Sequence, residues 1–236
     1  MHSAMGDDAS ASVNCGRNVV MSDTGPNAAR ALLRRVPKQE RSRERIDEIL
    51  KVSMDLIGRK GIDAVTMKEI ASLSGGPIAS VYQYFPNKSA ILATLYERYA
   101  DSVREIVEAS AAGVQTAEDA FHAIDRLVDL YYQRIRSTPA IQDLVNASQA
   151  DKALALLDIE ESRVHSGIFA DAVYPFIDPE RGEEFGRTVF LMFQLAASAV
   201  RFALLVNEEE GRWILSDFKA ASKAQLQRFL PGPATA

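Results

Sequence analysis

Two short helices joined by a glycine turn limit what this chain can fold into more than any other feature. Residues 66–69 have the form of a capping box, with Thr66 as the N-cap and Glu69 at the third helical position. The helix that they begin stops at two glycines, 75 and 76, and Pro77 suits the first turn of another helix, which Pro86 ends. Helices this short are not stable alone in water, so we expect them to pack against longer neighbours.

The neighbours on either side are predicted to be longer helices. One runs from about Lys38 to Lys60 and is expected to end at Gly61, and the other begins after Asn87, which suits an N-cap. Three compact helices with a glycine turn between the second and the third describe a helix-turn-helix. The three- and four-residue spacing predicts that the long helices bury Ile46, Ile49, Leu50, Ser53, Leu56, Ile57, Ile91, Leu92, Leu95 and Tyr99.

Helical periodicity continues to the end of the chain. It occurs in residues 116–137, in a short helix after Pro139, and in residues 151–176, 183–206 and 211–230, and no segment shows convincing strand alternation. The stretch 183–206 is apolar almost all round, which predicts burial on most of its sides. The sequence therefore predicts an all-α protein with a disordered tail over 1–37, a three-helix unit over 38–99 and a larger helical domain over 100–236.

Composition excludes several classes of protein. No run approaches the 18 or so consecutive apolar residues of a membrane span, and the N-terminus lacks the apolar core of a signal peptide. The single cysteine, Cys15, cannot form an internal disulfide, which fits the cytoplasm. The three histidines have no His or Cys at ligand spacing, so we expect no metal site, no cofactor and no catalytic set.

The net charge of −5 conceals a basic region. Between Arg34 and Arg98 there are 12 lysines and arginines against 8 aspartates and glutamates, whereas residues 99–236 carry a net charge of −8. A basic region beside an acidic remainder indicates a nucleic-acid-binding end, although many solvated helices are locally basic as well. The third helix of this region suits the major groove, because glutamine pairs with adenine and methyl groups contact thymine methyls. Its exposed residues are predicted to be Ile78, Ala79, Ser80, Gln83 and Tyr84, with Val81 and Phe85 buried.

These segments resemble the TetR family of transcriptional regulators. The resemblance runs from Arg45 to about Tyr99, and its most specific part is residues 80–88, Ser-Val-Tyr-Gln-Tyr-Phe-Pro-Asn-Lys. It implies a DNA-binding homodimer, most simply a repressor, that leaves a near-palindromic operator when a small molecule binds. Residues 38–99 would then be the DNA-binding domain, and residues 100–236 the ligand-binding and dimerisation domain.

The resemblance also assigns DNA contacts to individual residues. Thr66, Tyr84 and Lys88 are expected to hold backbone phosphates, whereas the bases are expected to face Ile78, Ala79 and Gln83. Arg41 and Arg43, just ahead of the first helix, are expected to reach an adjacent strand. The complete set is Arg41, Arg43, Thr66, Pro77, Ile78, Ala79, Ser80, Tyr82, Gln83, Tyr84 and Lys88.

The sequence departs from the family pattern at three positions. Gly76 stands where an apolar residue such as valine is common, and two adjacent glycines are expected to loosen the turn. Ala79 replaces a frequent glycine and Ser89 a frequent glutamate. These departures affect the expected operator sequence more than the expected fold.

Two helices near the C-terminus are predicted to form the dimer interface. Residues 183–206 join Val189, Met192, Phe193 and Leu195 to a run of small residues, which lets helices approach closely. Packed with residues 211–230 and with the same pair of helices in a second copy, they would make a four-helix interface.

Aromatic residues in the C-terminal domain are predicted either to line a ligand cavity or to be plain core. Because they are mostly uncharged, they favour an apolar or aromatic effector. His165, with Glu160 and Glu161 nearby, is interpreted as part of a solvated helix face rather than a metal site. The candidate ligand residues are Phe121, Tyr131, Tyr132, Phe169, Tyr174, Phe190 and Phe193, and the aromatic side chains of Phe176 and Phe202 are further members of the set.

Two other functions compete with a ligand-released repressor. A helical enzyme or small-molecule carrier has no need of a basic three-helix unit with an exposed glutamine-tyrosine face, so the pattern from Thr66 to Lys88 argues against both. A regulator that activates transcription, or one that responds to a protein, stays open at this point.

Overall fold

Residues 40–230, the part of the chain that this computed structural model describes, form nine α-helices and no strand. The all-α prediction is confirmed. The predicted N-terminal tail, with Cys15, lies outside the described residues. The helices are α1 (Glu40–Lys60), α2 (Met67–Leu73), α3 (Ile78–Tyr82), α4 (Lys88–Ala111), α5 (Ala117–Arg136), α6 (Pro139–Ser148), α7 (Lys152–Val173), α8 (Gly182–Leu205) and α9 (Glu208–Gln227), and two short 3₁₀ turns, Tyr174–Phe176 and Pro179–Arg181, join α7 to α8.

Local signals in the sequence set the ends of these helices. Thr66 caps α2 in a reciprocal capping box with Glu69, as predicted. The Asn87 side chain accepts a hydrogen bond from the backbone N–H of Ala90 at 2.9 Å and so begins α4. Gly61 ends α1 with a φ of 77°, a left-handed conformation that glycine adopts without steric cost.

Helices α1 to α4 share one apolar core. The α1 face predicted from the spacing is the face that is buried, with Ile49 and Leu50 at most 1% exposed. Val81 and Phe85 close the core from the third helix and the residues after it, and both are fully buried. Burial of side chains of this size contributes roughly 1.5–3 kcal/mol each, which is why helices as short as α2 and α3 keep their place.

Helix α4 belongs both to this core and to the C-terminal domain. It is 24 residues long, which corresponds to about 36 Å, so the predicted boundary at residue 99 falls inside a continuous helix. Helix α6 makes a second connection by packing against α1. At this contact a Cβ on Gly58 would stand 3.3 Å from the Cβ of Ala140, so the two helices lie close together.

Helix α8 presents an apolar face to the outside. The prediction that it is buried on most sides is wrong within the single chain, because only Phe185, Val189, Val200 and Ala203 are buried. Among the described residues, Pro179–Leu205 is the one helical stretch long and apolar enough to cross a membrane by length and composition alone. Its exposed apolar side chains follow one another at intervals of four, seven and three positions and therefore form one stripe: Leu191, Leu195, Phe202 and Leu205.

Candidate DNA-binding face and ligand cavity

The turn between α2 and α3 needs one glycine for a left-handed backbone conformation and the other because a neighbouring side chain occupies the place of its Cβ. Gly75 has a φ of 73° and follows a backbone hydrogen bond of 2.9 Å from the Ser74 N–H to the Ile70 carbonyl. Gly76 has no such conformation, but a Cβ at this position would stand 2.9 Å from Nη2 of Arg45. The missing side chain of Gly76 is therefore replaced by the guanidinium of a residue in α1.

Arg45 bonds to both sides of the turn. Its Nη1 donates to the Ser74 carbonyl, its Nη2 donates to the Ser74 hydroxyl at 3.2 Å, and its Nε donates to the Ser80 hydroxyl at 3.2 Å. Because Ser74 lies before the turn and Ser80 lies in α3, one side chain ties α1, the turn and α3 together. The expectation that two glycines loosen the turn is therefore wrong for this pair.

Beyond the turn, α3 exposes a compact patch. Ile78 is 41% exposed and Tyr82 38%, and the side chains of Pro77, Ala79 and Gln83 are also exposed. The predicted exposure of Ile78, Ala79 and Gln83 is confirmed. We call these five residues, Pro77, Ile78, Ala79, Tyr82 and Gln83, the recognition patch.

Two predicted members of the exposed face are not exposed. Tyr84 is 9% exposed, because it follows the buried Val81 by three positions and therefore shares its inward direction. Ser80 is half-buried, and its hydroxyl is occupied by Arg45. The prediction that Tyr84 and Ser80 are exposed is therefore wrong.

The predicted phosphate-binding residues flank the recognition patch. Lys88 donates from Nζ to the Ile62 carbonyl at 3.0 Å, which leaves two of its three donors for other partners. The Thr66 hydroxyl is exposed but donates to the Glu69 carboxylate at 2.8 Å. Arg41 and Arg43 are exposed within the first turn of α1, which fits the predicted helix start near Lys38 and corrects the expectation that the two arginines lie ahead of the helix.

A cavity lies inside the C-terminal domain, between α4, α5, α7, α8 and α9. It has about 110 Å³ of space that the centre of a water molecule can reach. Since a single water needs only about 10–15 Å³ of such space, this cavity has room for several waters or for a small organic molecule. Most of its wall is apolar and includes Val103, Phe169, Phe193, Phe218 and Phe229.

Three of the seven predicted ligand aromatics line this cavity, namely Tyr131, Phe169 and Phe193. The others do not, and the prediction that they line it is wrong. Phe190 lies under the guanidinium of Arg163, and Tyr174 packs over Gly182. Phe121 and Tyr132 are half-buried elsewhere on α5, because each is about 100° around the helix from a neighbour that faces inward. Phe176 and Phe202 also lie outside the lining.

One end of the cavity is polar. Tyr96 donates its hydroxyl to Asp158, and the hydroxyl oxygens of Tyr99 and Tyr131 are 2.8 Å apart. Burial raises the pKa of Asp158 above its usual range although hydrogen bonds from Tyr96 and Gln194 lower it, and burial raises the pKa of Tyr131 to about 12. The cavity therefore has a weakly solvated carboxylate at one end and phenylalanine rings at the other.

Glu161 and His165 complete the polar end. They are 8% and 5% exposed, so the interpretation of this segment as a solvated helix face is wrong. Arg104 donates from Nη2 to Glu161 at 3.1 Å. Burial, and after it the charge of Arg104, lower the pKa of His165 to about 4, so the imidazole is neutral at pH 7.

The sequence contained a signal for this polar end. Asp158, Glu161 and His165 stand at positions i, i+3 and i+7 of α7 and continue to Phe169, which is the spacing of one helix face. The opposite face exposes Leu156, Ile159 and Val164, at 56%, 37% and 45%. The buried face of α7 therefore mixes Glu161 and His165 with the apolar Leu154, Phe169 and Val173, and the exposed apolar residues blur the contrast between the two faces.

Comparison with known proteins covers both parts of the chain. The family described as "Bacterial regulatory proteins, tetR family" matches residues 49–95, and "Tetracyclin repressor-like, C-terminal domain" matches residues 118–230. No curated protein matches the sequence.

Several solved structures share the fold at low sequence identity. A TetR-family transcriptional regulator from Streptomyces coelicolor has a TM-score of 0.58 and 20% identity, over 79% of this chain and 99% of its own. The fatty acid degradation regulator FadR from Bacillus halodurans has a TM-score of 0.58 and 14% identity, over 81% and 96%. The multidrug binding protein EbrR, complexed with imidazole, has a TM-score of 0.59 and 17% identity, over 85% and 100%.

At such identities the solved structures establish the fold. The two family matches add the assignment, since one covers the helix-turn-helix with its recognition patch and the other covers most of the helices around the cavity. The chain is a DNA-binding transcriptional regulator and belongs to the TetR family.

Proposed function

We propose that the protein is a homodimeric cytoplasmic repressor that leaves its operator when a small molecule occupies the cavity. The observation that carries this proposal is the position of α4. Its N-terminal residue Lys88 bonds to the Ile62 carbonyl beside the helix-turn-helix, and its Tyr96, Tyr99 and Val103 line the cavity. A ligand that favours one position of α4 also favours one position of the DNA-binding helices.

On DNA, the recognition patch suits the major groove. It combines the Gln83 amide, which both donates and accepts, with the apolar side chains of Ile78 and Ala79, which suit thymine methyls. Lys88, Thr66, Arg41 and Arg43 are proposed to hold phosphates on either side. The half-buried Ser80 and the buried Tyr84 are proposed to support DNA binding by packing α3 in place, or by contacting DNA with the small part of each side chain that is accessible.

The proposed dimer uses the outer faces of α8 and α9. The stripe of α8 combines with Trp213, 62% exposed, and with the exposed Ala220 and Ala224 of α9. A second copy would cover this face and bury apolar side chains that the single chain leaves in water. Of the residues first chosen for the interface, Met192 and Phe193 line the cavity instead, and Val189 is buried. Two recognition patches about 34–36 Å apart would then meet successive major grooves.

Operator binding is tested with duplexes from the DNA that flanks the protein's own gene. In an electrophoretic shift at physiological salt we expect one duplex to bind at least a thousandfold more tightly than a scrambled duplex of equal length. Equal, salt-sensitive binding to all duplexes would contradict a sequence-specific repressor.

Ligand release is tested by screening small molecules against the bound operator. Ala197 lines the cavity, so Ala197→Phe should fill part of it and abolish the response to any active compound while the operator still binds. A compound that still releases Ala197→Phe from DNA would act at another place.

The dimer interface is tested with a matched pair of exposed leucines. Leu195 lies in the α8 stripe and is 43% exposed, whereas Leu130 on α5 is 40% exposed and lies outside it. Leu195→Arg should give monomers in light scattering because it places a charge in the interface, and Leu130→Arg should remain dimeric. A dimeric Leu195→Arg protein would show that the interface lies elsewhere.

A further inference from the structure

The polar end of the cavity offers more acceptors than the protein fills. Asp158 and Glu161 both line the cavity; Asp158 interacts with the Tyr96 hydroxyl and the Gln194 side chain, and Glu161 accepts from the Arg104 guanidinium. Each carboxylate has two oxygens and about four acceptor positions, so each has capacity left for a ligand. Because the two residues are three positions apart on α7, they lie on the same side of the helix.

His165 adds a third acceptor. It lines the cavity, and its buried Nε2 has no hydrogen-bond partner among the described residues. The backbone of Ala100 raises the pKa of the imidazole, as a carbonyl that accepts from Nδ1 does, and this assigns the proton of the neutral ring to Nδ1 because Nε2 makes no bond. The lone pair of the neutral ring is therefore on Nε2, which lies 3.9 Å from the nearest Glu161 oxygen. A buried acceptor of this kind is costly unless a water or a ligand supplies a donor.

The arginines near this end do not remove the demand for a donor. Arg104 is bonded to Glu161, and Arg201 acts on Asp158 electrostatically without outweighing the burial of that carboxyl. Neither arginine lines the cavity, whereas both carboxylates do. A molecule inside the cavity therefore contacts carboxylate and imidazole acceptors at this end, and an anionic head group would place further acceptors against them.

We propose that the effector is an amphiphilic amine, with its protonated amino group between Asp158, Glu161 and His165 and its apolar body among the phenylalanines. An ammonium group has three donors and no acceptor, which matches three acceptors on one helix face. This inference rests on the proposed ligand control and narrows its ligand class from apolar or aromatic molecules to cationic amphiphiles.

The test compares three probes with one body, 4-phenylbutylamine, 4-phenylbutanol and 4-phenylbutyrate. Calorimetric titration of the full-length protein without DNA at pH 7 should show the amine binding at least tenfold more tightly than the alcohol, and the carboxylate most weakly. Tightest binding of the carboxylate, equal binding of amine and alcohol, or no binding of any probe would overturn the proposal.

Near-isosteric variants locate the effect. Asp158→Asn and Glu161→Gln should each reduce the preference for the amine over the alcohol about tenfold, with alcohol binding nearly unchanged. The control is Asp101→Asn, because Asp101 approaches the same Arg104 but its side chain is 68% exposed and does not line the cavity. An amine preference that survives in both cavity variants would refute this site.

The ligand class and the proposed release of DNA can be refuted independently of each other. If the amine binds with the expected selectivity but leaves the operator complex intact, the ligand class stands and release by this ligand is refuted. Circular dichroism melting of each variant checks that a lost preference is not lost folding.

Discussion

Gly76→Ala should destabilise the native protein but stabilise a protein that lacks the Arg45 guanidinium. In the native protein, Gly76→Ala places a Cβ 2.9 Å from Nη2 of Arg45, inside the normal contact distance. The guanidinium is held by Ser74 and Ser80, so it cannot move away without weakening those hydrogen bonds. Partly exposed bonds of this kind contribute about 0.5–1.5 kcal/mol each, so we expect Gly76→Ala to destabilise the protein by about 1 kcal/mol.

The same substitution should stabilise an Arg45→Met protein. Arg45→Met alone should cost about 2 kcal/mol, because the Ser74 hydroxyl and carbonyl lose a partner and Ser74 is only 4% exposed. With the guanidinium absent, the Cβ at position 76 makes an ordinary contact with the Ser80 hydroxyl oxygen at 3.9 Å, and Gly→Ala then gains about 0.4–1 kcal/mol by restricting the unfolded chain. The coupling free energy between the two positions should therefore be about 1.5–2 kcal/mol.

Urea unfolding at one fixed protein concentration measures this cycle, since a dimer's stability depends on concentration. Gly75→Ala is the matched control: its φ of 73° strains any alanine, so its cost should be the same with arginine or methionine at position 45. If Gly76→Ala and Arg45→Met add within about 0.5 kcal/mol, Arg45 does not occupy the glycine's space and the reasoning fails.

Three further predictions concern DNA contact, pH and helix packing. Lys88→Ala should weaken binding to cognate and scrambled DNA alike, and it should lower the slope of log affinity against log salt concentration by up to about two per dimer. Gln83→Ala should cost about 1–3 kcal/mol of binding free energy per half-site on cognate DNA alone, and equal losses on both duplexes would make Gln83 a backbone contact. Because the pKa of His165 falls from 6.5 to about 4 on folding, the unfolded chain takes up the proton first, and the free energy of unfolding should drop by about 3 kcal/mol from pH 6.5 to pH 4. Urea unfolding should show that His165→Gln lacks this part of the drop, and an equal drop in the wild type and the variant would refute the reasoning. Gly211→Ala should destabilise the protein by about 1–3 kcal/mol in thermal unfolding, because its Cβ would stand 2.6 Å from the Ala203 carbonyl oxygen. The control Gly167→Ala has open space around its Cβ and should instead be neutral or stabilising.

Sequence patterns predicted the helices well wherever one face is apolar and the ends carry caps. The buried set of α1 and the capping box of α2 follow from spacing and hydrogen-bonding chemistry alone. Tyr84 was assigned to the wrong face because a five-residue helix gives too short a pattern to fix its phase. The role of Arg45 depends on a contact across 29 to 35 positions, which no local pattern contains.

The cavity was harder to predict for a different physical reason. A polar side chain inside a protein differs from one on the surface only in what surrounds it. Asp158, Glu161 and His165 are residue types that usually form a solvent-exposed helix face, so the sequence alone does not reveal their burial. Their burial depends on the packing of α7 against α4 and α8. Similarly, the outer stripe of α8 has the composition of a core helix, and only the single-chain fold shows that its apolar residues face outward.

In the proposed mechanism, the distances along α4 set what a ligand must do to release DNA. Eight residues separate Lys88 from Tyr96, which is about 12 Å of helix, so a displacement at the tyrosine reaches the lysine through one rigid element. Helix α6 opposes free movement of α1, because Ala140 packs against Gly58. The DNA-binding helices are therefore joined to the C-terminal domain at two places, through α4 and through the contact between α1 and α6. A ligand shifts them only by the difference between its affinities for two arrangements, and a typical coupling of 1–3 kcal/mol would change operator affinity about 5–150-fold.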